Sequence, residues 1–237
     1  MVSLNALLIA GTDTEVGKTV VTSALLAYWR RYCPQQSVGL LKPLQSGEGD
    51  RERYQRLFFP ELSLDVLCPQ FFEAPLAPPL AAALEQRSID LGVVWNSLQT
   101  LTQTHDRVLV EGLGGLGSPV TDELTVADLA AAWHLPVLLV VPVKLGAIAQ
   151  AVANVALARQ TNLDLRGIIL NCPQPRRPEE IDRWAPAAMI TGLTQIPVLG
   201  VCPYLDQPES IDRLADAARG LHLEPLESSL ASRQSVS

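Results

Sequence analysis

The chain has 237 residues, of which 48% are hydrophobic and 18% charged, and its mean hydropathy is +0.18. This composition suits one packed domain and excludes a disordered or coiled-coil chain. Eighteen basic against 25 acidic residues give a net charge of −7, so we expect neither nucleic acid nor a membrane as a partner.

Apolar strands and helical patterns alternate along the chain. Strands are predicted at 5–10, 38–42, 108–110, 137–141, 167–170 and 197–201. Helices are predicted from the loop after the first strand to about residue 31, and at 51–58, 90–101, 125–134, 148–161, 178–191 and 208–221. This alternation predicts a single α/β domain, spanning 1–225, whose parallel sheet is covered by helices on both faces. The Ser-rich end at 226–237 is expected to be a flexible tail.

The first strand is followed by a glycine loop and a helix, which is the context that a phosphate-binding P-loop requires. The loop reads GTDTEVGKT at 11–19, with five residues rather than the usual four between its two glycines. Its backbone N–H groups and the helix N-terminus form an anion site. Lys18 then reaches the phosphates and the Thr19 hydroxyl binds Mg²⁺. These features predict a P-loop NTPase-like sheet.

Two further observations concern which nucleotide the loop binds and which lysines take part. The Asn-Lys-x-Asp motif with which GTPases read guanine is absent, because none of the three lysines follows an asparagine, so ATP is expected. Lysine is also scarce: 15 of the 18 basic residues are arginine, and the lysines are Lys18, Lys42 and Lys144. A lysine in this chain therefore marks a position that needs a compact ammonium group.

Lys42 and Glu111 stand at the predicted ends of two strands. Lys42 is held by Pro43 and points to the edge of the sheet where the phosphate loop lies. Glu111 is followed by a glycine run that lets a ligand approach the backbone, and it can hold Mg²⁺ directly or through water. A surface lysine in a salt bridge and a solvated acid are the alternative interpretations.

The cysteines and histidines predict no further chemistry. Cys33, Cys68, Cys172 and Cys202 form neither a CxxC pair nor a metal-ligand spacing, so we expect buried thiols in a reducing cytoplasm. The three histidines fall at predicted helix ends, and no catalytic triad is visible. No apolar run approaches the roughly 18–20 residues of a membrane span, and the basic segment of a signal peptide is missing.

The chain resembles the dethiobiotin synthetase family in five motifs. They read GTDTEVGKT at 11–19, KPLQSG at 42–47, VEGLGGLGSPVTDELTVADLA at 110–130, VPVKLG at 141–146 and ILN at 169–171. The likeness extends to about residue 209. It implies a homodimeric P-loop enzyme of biotin synthesis that uses ATP and Mg²⁺. Such an enzyme joins CO₂ to 7,8-diaminononanoate, closes a cyclic urea and releases ADP and phosphate.

The same resemblance implies a role for individual residues of this sequence. The catalytic residues are Thr14, Lys18 and Lys42, and the Mg²⁺ ligands are Thr19, Asp50 and Glu111. Substrate contacts are implied for Lys42, Ser46, Gly146 and Ala147, with a loosely matched substrate wall at 74–83. Nucleotide contacts are implied for Glu15, Val16, Gly17, Lys18, Thr19, Val20, Asp50, Glu111, Gly112, Leu113, Gly114, Asn171, Cys172, Pro203, Tyr204, Leu205 and Glu209. Asp50 follows Gly47 at a shorter spacing than is usual in the family.

Two other functions remain as alternatives. A ParA/MinD-like ATPase shares this fold, but such proteins carry a second lysine near the first glycine of the loop, where this chain has Thr12, Asp13 and Thr14. A cobyrinate-type amidoligase domain shares the GT-x-x-x-VGKT loop, but it needs a glutaminase with a nucleophilic Cys–His pair, which this sequence lacks. Dependence of ATP turnover on the diamine and bicarbonate, or on DNA or lipid, distinguishes the first alternative from the ligase.

Overall fold

The computed structural model describes residues 5–226, so the predicted tail lies, apart from Leu226, outside the described residues. The strands of this range are β1 Ala6–Gly11, β2 Val38–Leu41, β3 Leu44–Ser46, β4 Gln70–Phe72, β5 Arg107–Gly115, β6 Val137–Pro142, β7 Leu165–Asn171 and β8 Val198–Cys202. Its helices are α1 Lys18–Tyr32, α2 Asp50–Phe58, α3 Leu64–Leu67, α4 Pro78–Leu84, α5 Leu91–Thr104, α6 Val126–Ala132, α7 Ala147–Gln160, α8 Pro178–Trp184, α9 Ala187–Thr194 and α10 Ile211–Arg219.

Six strands form the central sheet in the order β2-β5-β1-β6-β7-β8, and every neighbouring pair runs parallel. Alternate residues of a strand enter opposite apolar clusters, as Leu8 and Ile9 of β1 do. Helices α5, α6 and α7 cover one face, and α1 and α10 pack together on the other. The predicted α/β fold with a parallel sheet between two helical layers is confirmed.

The register of the strands determines which side chains meet at the carboxyl edge of the sheet. Leu41 of β2 pairs with Val110 of β5, and Ile9 of β1 pairs with Glu111. Lys42 therefore follows β2 at the level of Glu111 in β5. Strand β5 lies between β2 and β1, so Glu111 stands between Lys42 and the loop that follows β1. Ligands of parallel sheets bind at this edge.

Three regions differ from the sequence-based expectation. Strand β5 does not end at Glu111 but continues to Gly115, because the glycine run still pairs with β1 at Gly11 after an irregularity in the register. The predicted helix at 178–191 is two helices, since Pro186 disfavours a helical conformation at Ala185 and ends α8 there. The mixed stretch after Lys42 contains an unexpected parallel pair, β3 and β4.

The structure confirms the predicted start of α5 at Asp90 and shows a second side-chain cap at the start of α6. The Asp90 carboxylate caps α5 by accepting from the N–H of Gly92 at 2.8 Å, and Thr125 and Asp128 cap α6 reciprocally. Within residues 5–226, no helix has both the length and the apolar character to cross a bilayer.

Candidate active site

The phosphate loop connects β1 to α1 and is held from behind by Asn171. Gly17 adopts a φ of +90°, and the side-chain amide of Asn171 donates to the Val16 carbonyl at 2.8 Å. A Cβ atom on Gly17 would lie 2.0 Å from Asn171 Nδ2, so only glycine fits there. No side chain caps α1, whose first N–H groups face the loop, an arrangement suited to an anion.

Lys18 begins α1 and folds back over the loop. Its Nζ donates to the Asp13 carbonyl at 3.1 Å, and the side chain is buried. Burial lowers the pKa of Lys18; Glu111 opposes this shift and Lys42 adds to it. A bound phosphate can replace the Asp13 carbonyl as the acceptor and place a negative charge in direct contact with the Lys18 ammonium.

Lys42 lies at the centre of a buried ionic cluster, which we define as Thr19, Lys42, Asp50 and Glu111. The Lys42 ammonium donates to Asp50 Oδ2 and, at 2.6 Å, to Glu111 Oε1. The Thr19 hydroxyl lies 2.8 Å from Asp50 Oδ1 and 3.1 Å from Glu111 Oε1. Lys42 is 3% exposed, so the alternative of a solvated surface lysine is wrong.

The pKa values in the ionic cluster follow from burial and charge together. Burial alone would lower the pKa of Lys42, but Glu111 and Asp50 outweigh it and raise the pKa above its ordinary value. At Asp50, burial alone would raise the pKa, but the charge of Lys42 and the hydrogen bonds from Lys42 and Thr19 outweigh it and lower the pKa to about 2. Glu111 is completely buried, which raises its pKa in spite of Lys42.

A cleft of about 880 Å³ opens over the loop and the ionic cluster. It is lined by most of the expected catalytic, phosphate and substrate residues, namely Thr14, Glu15, Gly17, Lys18, Thr19, Val20, Lys42, Ser46, Asp50, Leu113 and Gly114. The segment Pro75–Pro78 forms its apolar wall, in the region expected for the substrate. Val16, Glu111 and Gly112 lie behind this surface. The structure therefore brings together residues from three separate motifs, those at 11–19, 42–47 and 110–130.

The remaining expected contacts lie outside this cleft. Asn171 is used to hold the loop, and Cys172 follows it in the core. Pro203, Tyr204 and Leu205 follow β8, and the Glu209 carboxylate forms an ion pair with Arg56 at 2.6 Å. Gly146 and Ala147 begin α7, whose Gln150 lies 3.5 Å from the Thr12 hydroxyl of the loop.

Sequence reasoning missed four polar residues of the site: Tyr54, which contacts Glu111, and Gln45, Glu48 and Ser118, which line the cleft. Tyr54 donates its hydroxyl proton to Glu111 Oε2, and burial, together with Glu111, raises the pKa of Tyr54 well above the ordinary value. The Ser118 hydroxyl accepts from the Gly115 N–H at 2.8 Å. The sequence placed Tyr54 on the predicted helix at 51–58, but no motif marked it as a site residue.

The donor set of the ionic cluster fits Mg²⁺. Two carboxylates and one hydroxyl converge from α1, α2 and β5, and all are hard oxygen donors. Within residues 5–226, no three His, Cys, Asp or Glu side chains are arranged to hold a metal ion by themselves. Mg²⁺ typically keeps several waters and binds one or two carboxylates together with substrate phosphates, which matches this sparse set.

The strained position of Gly17 yields a first prediction. We expect Gly17→Ala to weaken ATP binding about tenfold or more, because the new Cβ collides with Asn171 and the positive φ disfavours any side chain. Gly192→Ala in α9 is the matched control, since its Cβ would meet nothing within 4 Å. Calorimetric titration with ATP tests both variants; equal affinity in both would contradict the role of Gly17.

The lowered pKa of Asp50 yields a second prediction. In the unfolded chain an aspartate titrates near ~3.9, so Asp50 contributes stability that is complete above about pH 4 and is lost as the pH falls toward 2. The free energy of unfolding of the protein should therefore exceed that of Asp50→Asn at neutral pH, and the gap should narrow as the pH falls from about 4 toward 2. Urea unfolding at several pH values measures this gap; parallel curves would refute the assignment.

Comparison with known proteins points to one family. A family model described as an AAA domain matches residues 5–211. The protein named ATP-dependent dethiobiotin synthetase BioD from Crocosphaera subtropica is 58% identical over 223 residues, which cover 94% of this chain and 100% of that relative. The protein of the same name from Gloeothece citriformis is 55% identical over 93% of this chain and 98% of its own length.

Solved structures share the fold at much lower identity. A ParA family ATPase from Chlorobium tepidum TLS matches with a TM-score of 0.56 and 12% identity, over 95% of this chain and 97% of its own. The cell division protein MinD from Aquifex aeolicus matches with a TM-score of 0.55 and 15% identity, over 98% of both chains. These structures support the architecture alone, whereas the relatives with more than half of their residues identical show that the chain belongs to the dethiobiotin synthetase family.

Proposed function

We propose that this chain catalyses the ATP- and Mg²⁺-dependent carboxylation and ring closure of 7,8-diaminononanoate with CO₂, which yields dethiobiotin in biotin biosynthesis. The observation that carries the proposal is the buried ionic cluster next to the phosphate loop. Its lysine comes from the KPLQSG motif, its threonine from the GKT sequence and its glutamate from β5. Lys18 and Lys42 both line the cleft, and we expect their ammonium groups to flank the end of a bound triphosphate.

The two sides of the cleft suit the two substrates. The loop and the N-terminus of α1 provide N–H donors for phosphate oxygens on one side. On the other, Pro75–Pro78 and Leu44 provide an apolar wall for the carbon chain of the diamine. Between them, the buried Ser46 hydroxyl has no hydrogen-bond partner among the described residues and so remains available to a substrate.

The reaction needs close placement of anions more than it needs a strong base. One amine of the diamine adds to CO₂ and releases a proton, which leaves a carbamate whose negative charge Lys42 stabilises. A carbamate oxygen attacks the γ-phosphorus in line while Lys18 and the loop amides hold the departing ADP. Mg²⁺, when bound by Thr19, Asp50 and Glu111, supplies charge neutralisation to the phosphate oxygens. The neutral second amine then attacks the carbonyl carbon of the resulting carbamic–phosphoric anhydride. The ring closes, phosphate leaves, and the amine proton passes to the departing phosphate.

ATP turnover by the purified protein tests the proposal. ADP release should require both diaminononanoate and bicarbonate, and mass spectrometry should identify dethiobiotin as the product. Turnover stimulated by DNA or lipid vesicles in place of the diamine would instead indicate a ParA/MinD-like ATPase. Formation of an amide from glutamine or ammonia would indicate an amidoligase.

We also infer a homodimer in the cytoplasm, as the family resemblance implies. Helices α7 and α9 pack together and expose the apolar side chains of Val152, Met189 and Leu193. Leu145, in the turn before α7, is exposed as well, so this region offers a dimer a suitable surface. All four cysteines are free thiols, in keeping with a reducing compartment. Light scattering on the purified protein tests the dimer, and a monomeric mass at micromolar concentration would contradict it.

A further inference from the structure

Tyr54 is a buried polar residue that the proposed chemistry does not use directly. It lies on α2, is 0% exposed, and its hydroxyl donates to Glu111 Oε2. Its aromatic ring belongs to the apolar cluster on the face of α1 and α10. A phenylalanine would satisfy this packing, so the hydroxyl group needs a separate explanation.

The two oxygens of Glu111 have different partners. Oε1 accepts from Lys42 at 2.6 Å and lies 3.1 Å from the Thr19 hydroxyl, whereas Oε2 accepts from Tyr54. The carboxylate is completely buried, which means that water does not replace a lost donor easily. Tyr54 therefore determines the orientation in which Glu111 presents its other oxygen to the ionic cluster.

Helix α2 couples this contact to Asp50. Asp50 and Tyr54 stand four residues apart and so share one face of the helix, from which both side chains reach the ionic cluster. The first turn of α2 is itself fixed, because Gln45 Oε1 accepts from the Arg51 N–H at 2.8 Å and Glu52 accepts from the Gly49 N–H at 2.8 Å. Both carboxylates are thus positioned by one anchored helix.

We propose that Tyr54 is a positioning residue that orients the Glu111 carboxylate for binding of a divalent cation together with the nucleotide. This inference rests on the proposed function, since it concerns the same site. Without the hydroxyl, Glu111 can rotate and engage Lys42 with both oxygens, which withdraws Oε1 from the side of Thr19 and Asp50. Loss of a group that orients a metal ligand typically lowers metal affinity by about 10–100-fold.

Calorimetric titration of the full-length protein with ADP at a series of MgCl₂ concentrations tests this inference. For Tyr54→Phe we expect the Mg²⁺ concentration that half-maximally tightens ADP binding to rise about tenfold. ADP affinity in EDTA should stay within about twofold, because the loop that holds the phosphates is unchanged. Tyr32→Phe is the matched control, since its exposed hydroxyl lies on the last residue of α1, 3.5 Å from Asp216.

The outcomes separate this inference from the proposed function. An unchanged Mg²⁺ midpoint in folded Tyr54→Phe, or an equal loss of ADP affinity with and without Mg²⁺, would overturn the positioning role and leave the proposed function standing. Wild-type protein that gains no ADP affinity from Mg²⁺ would overturn both. In a Glu111→Gln background, Tyr54→Phe should no longer move the midpoint; a persistent shift would show that Tyr54 acts through another group. Tyr54→Phe keeps the buried ring, and circular dichroism before each titration verifies that the variant is folded.

Discussion

Replacement of Lys42 by alanine is expected to lower kcat by on the order of 10²-fold or more, the typical loss for one preorganised donor that stabilises developing charge. The Lys42 ammonium donates to Asp50 and Glu111, and the residue lines the cleft above the phosphate loop. Steady-state kinetics with saturating ATP, diamine and bicarbonate measure this loss. Near-normal turnover in a folded Lys42→Ala protein would contradict the assignment.

The same substitution should also destabilise the protein. Removal of one partner of a buried ion pair typically costs about 3–5 kcal/mol, because the other charge remains buried. Glu111 is 0% exposed, and in the Lys42→Ala variant it loses the ammonium group that lies 2.6 Å from its Oε1. Urea unfolding measures this cost. Arg219→Ala, at the exposed end of α10, removes a positive charge far from the ionic cluster and should change neither kcat nor stability.

Lys18→Ala is expected to lower kcat by a similar factor of on the order of 10² or more but to leave the protein nearly as stable. Its Nζ donates to a single carbonyl, that of Asp13, and burial works against its charge. The loss should therefore concern transfer of the phosphoryl group and not the folded state. Kinetics and urea unfolding of the two lysine variants, measured side by side, separate these effects.

A contrasting result for Lys18 would be informative. If Lys18→Ala lost several kcal/mol of unfolding free energy, as expected for Lys42→Ala, the ammonium would be part of the structural cluster and not a free phosphate ligand. If its kcat stayed within a few fold of wild type, the loop would bind nucleotide without taking part in transfer.

The phosphate loop and the central sheet were predictable because their signals are local. A buried apolar strand, a glycine turn and a Lys-Thr pair at the start of a helix specify the loop within nine residues. The sequence also predicted that Lys42 and Glu111 lie at one edge of the sheet, since parallel strands end there together. Their contact further requires that β2 and β5 be neighbours, which only the structure shows. In the structure, Leu41, just before Lys42, pairs with Val110, and Glu111 pairs with Ile9 of β1, so both side chains lie at that edge.

The α2 region shows where local signals were insufficient. The short spacing before Asp50 left its place uncertain from sequence, and only the docking of α2 by Gln45 brings the carboxylate to Thr19. Tyr54 carries no motif, because its partner Glu111 lies 57 residues away along the chain. Strands β3 and β4 have three residues each, too few for a period-two pattern to be recognised.

The partners of Lys42 have a consequence for how the site responds to charge. An ammonium group has three N–H bonds, and Asp50 and Glu111 accept two of them, which leaves one for an incoming oxygen among the contacts of the described residues. The Lys42 side chain is therefore already ordered and largely desolvated before the carbamate forms beside it. The Lys42 ammonium is thus oriented when the protein folds, and each catalytic cycle begins with this hydrogen-bond donor already in position.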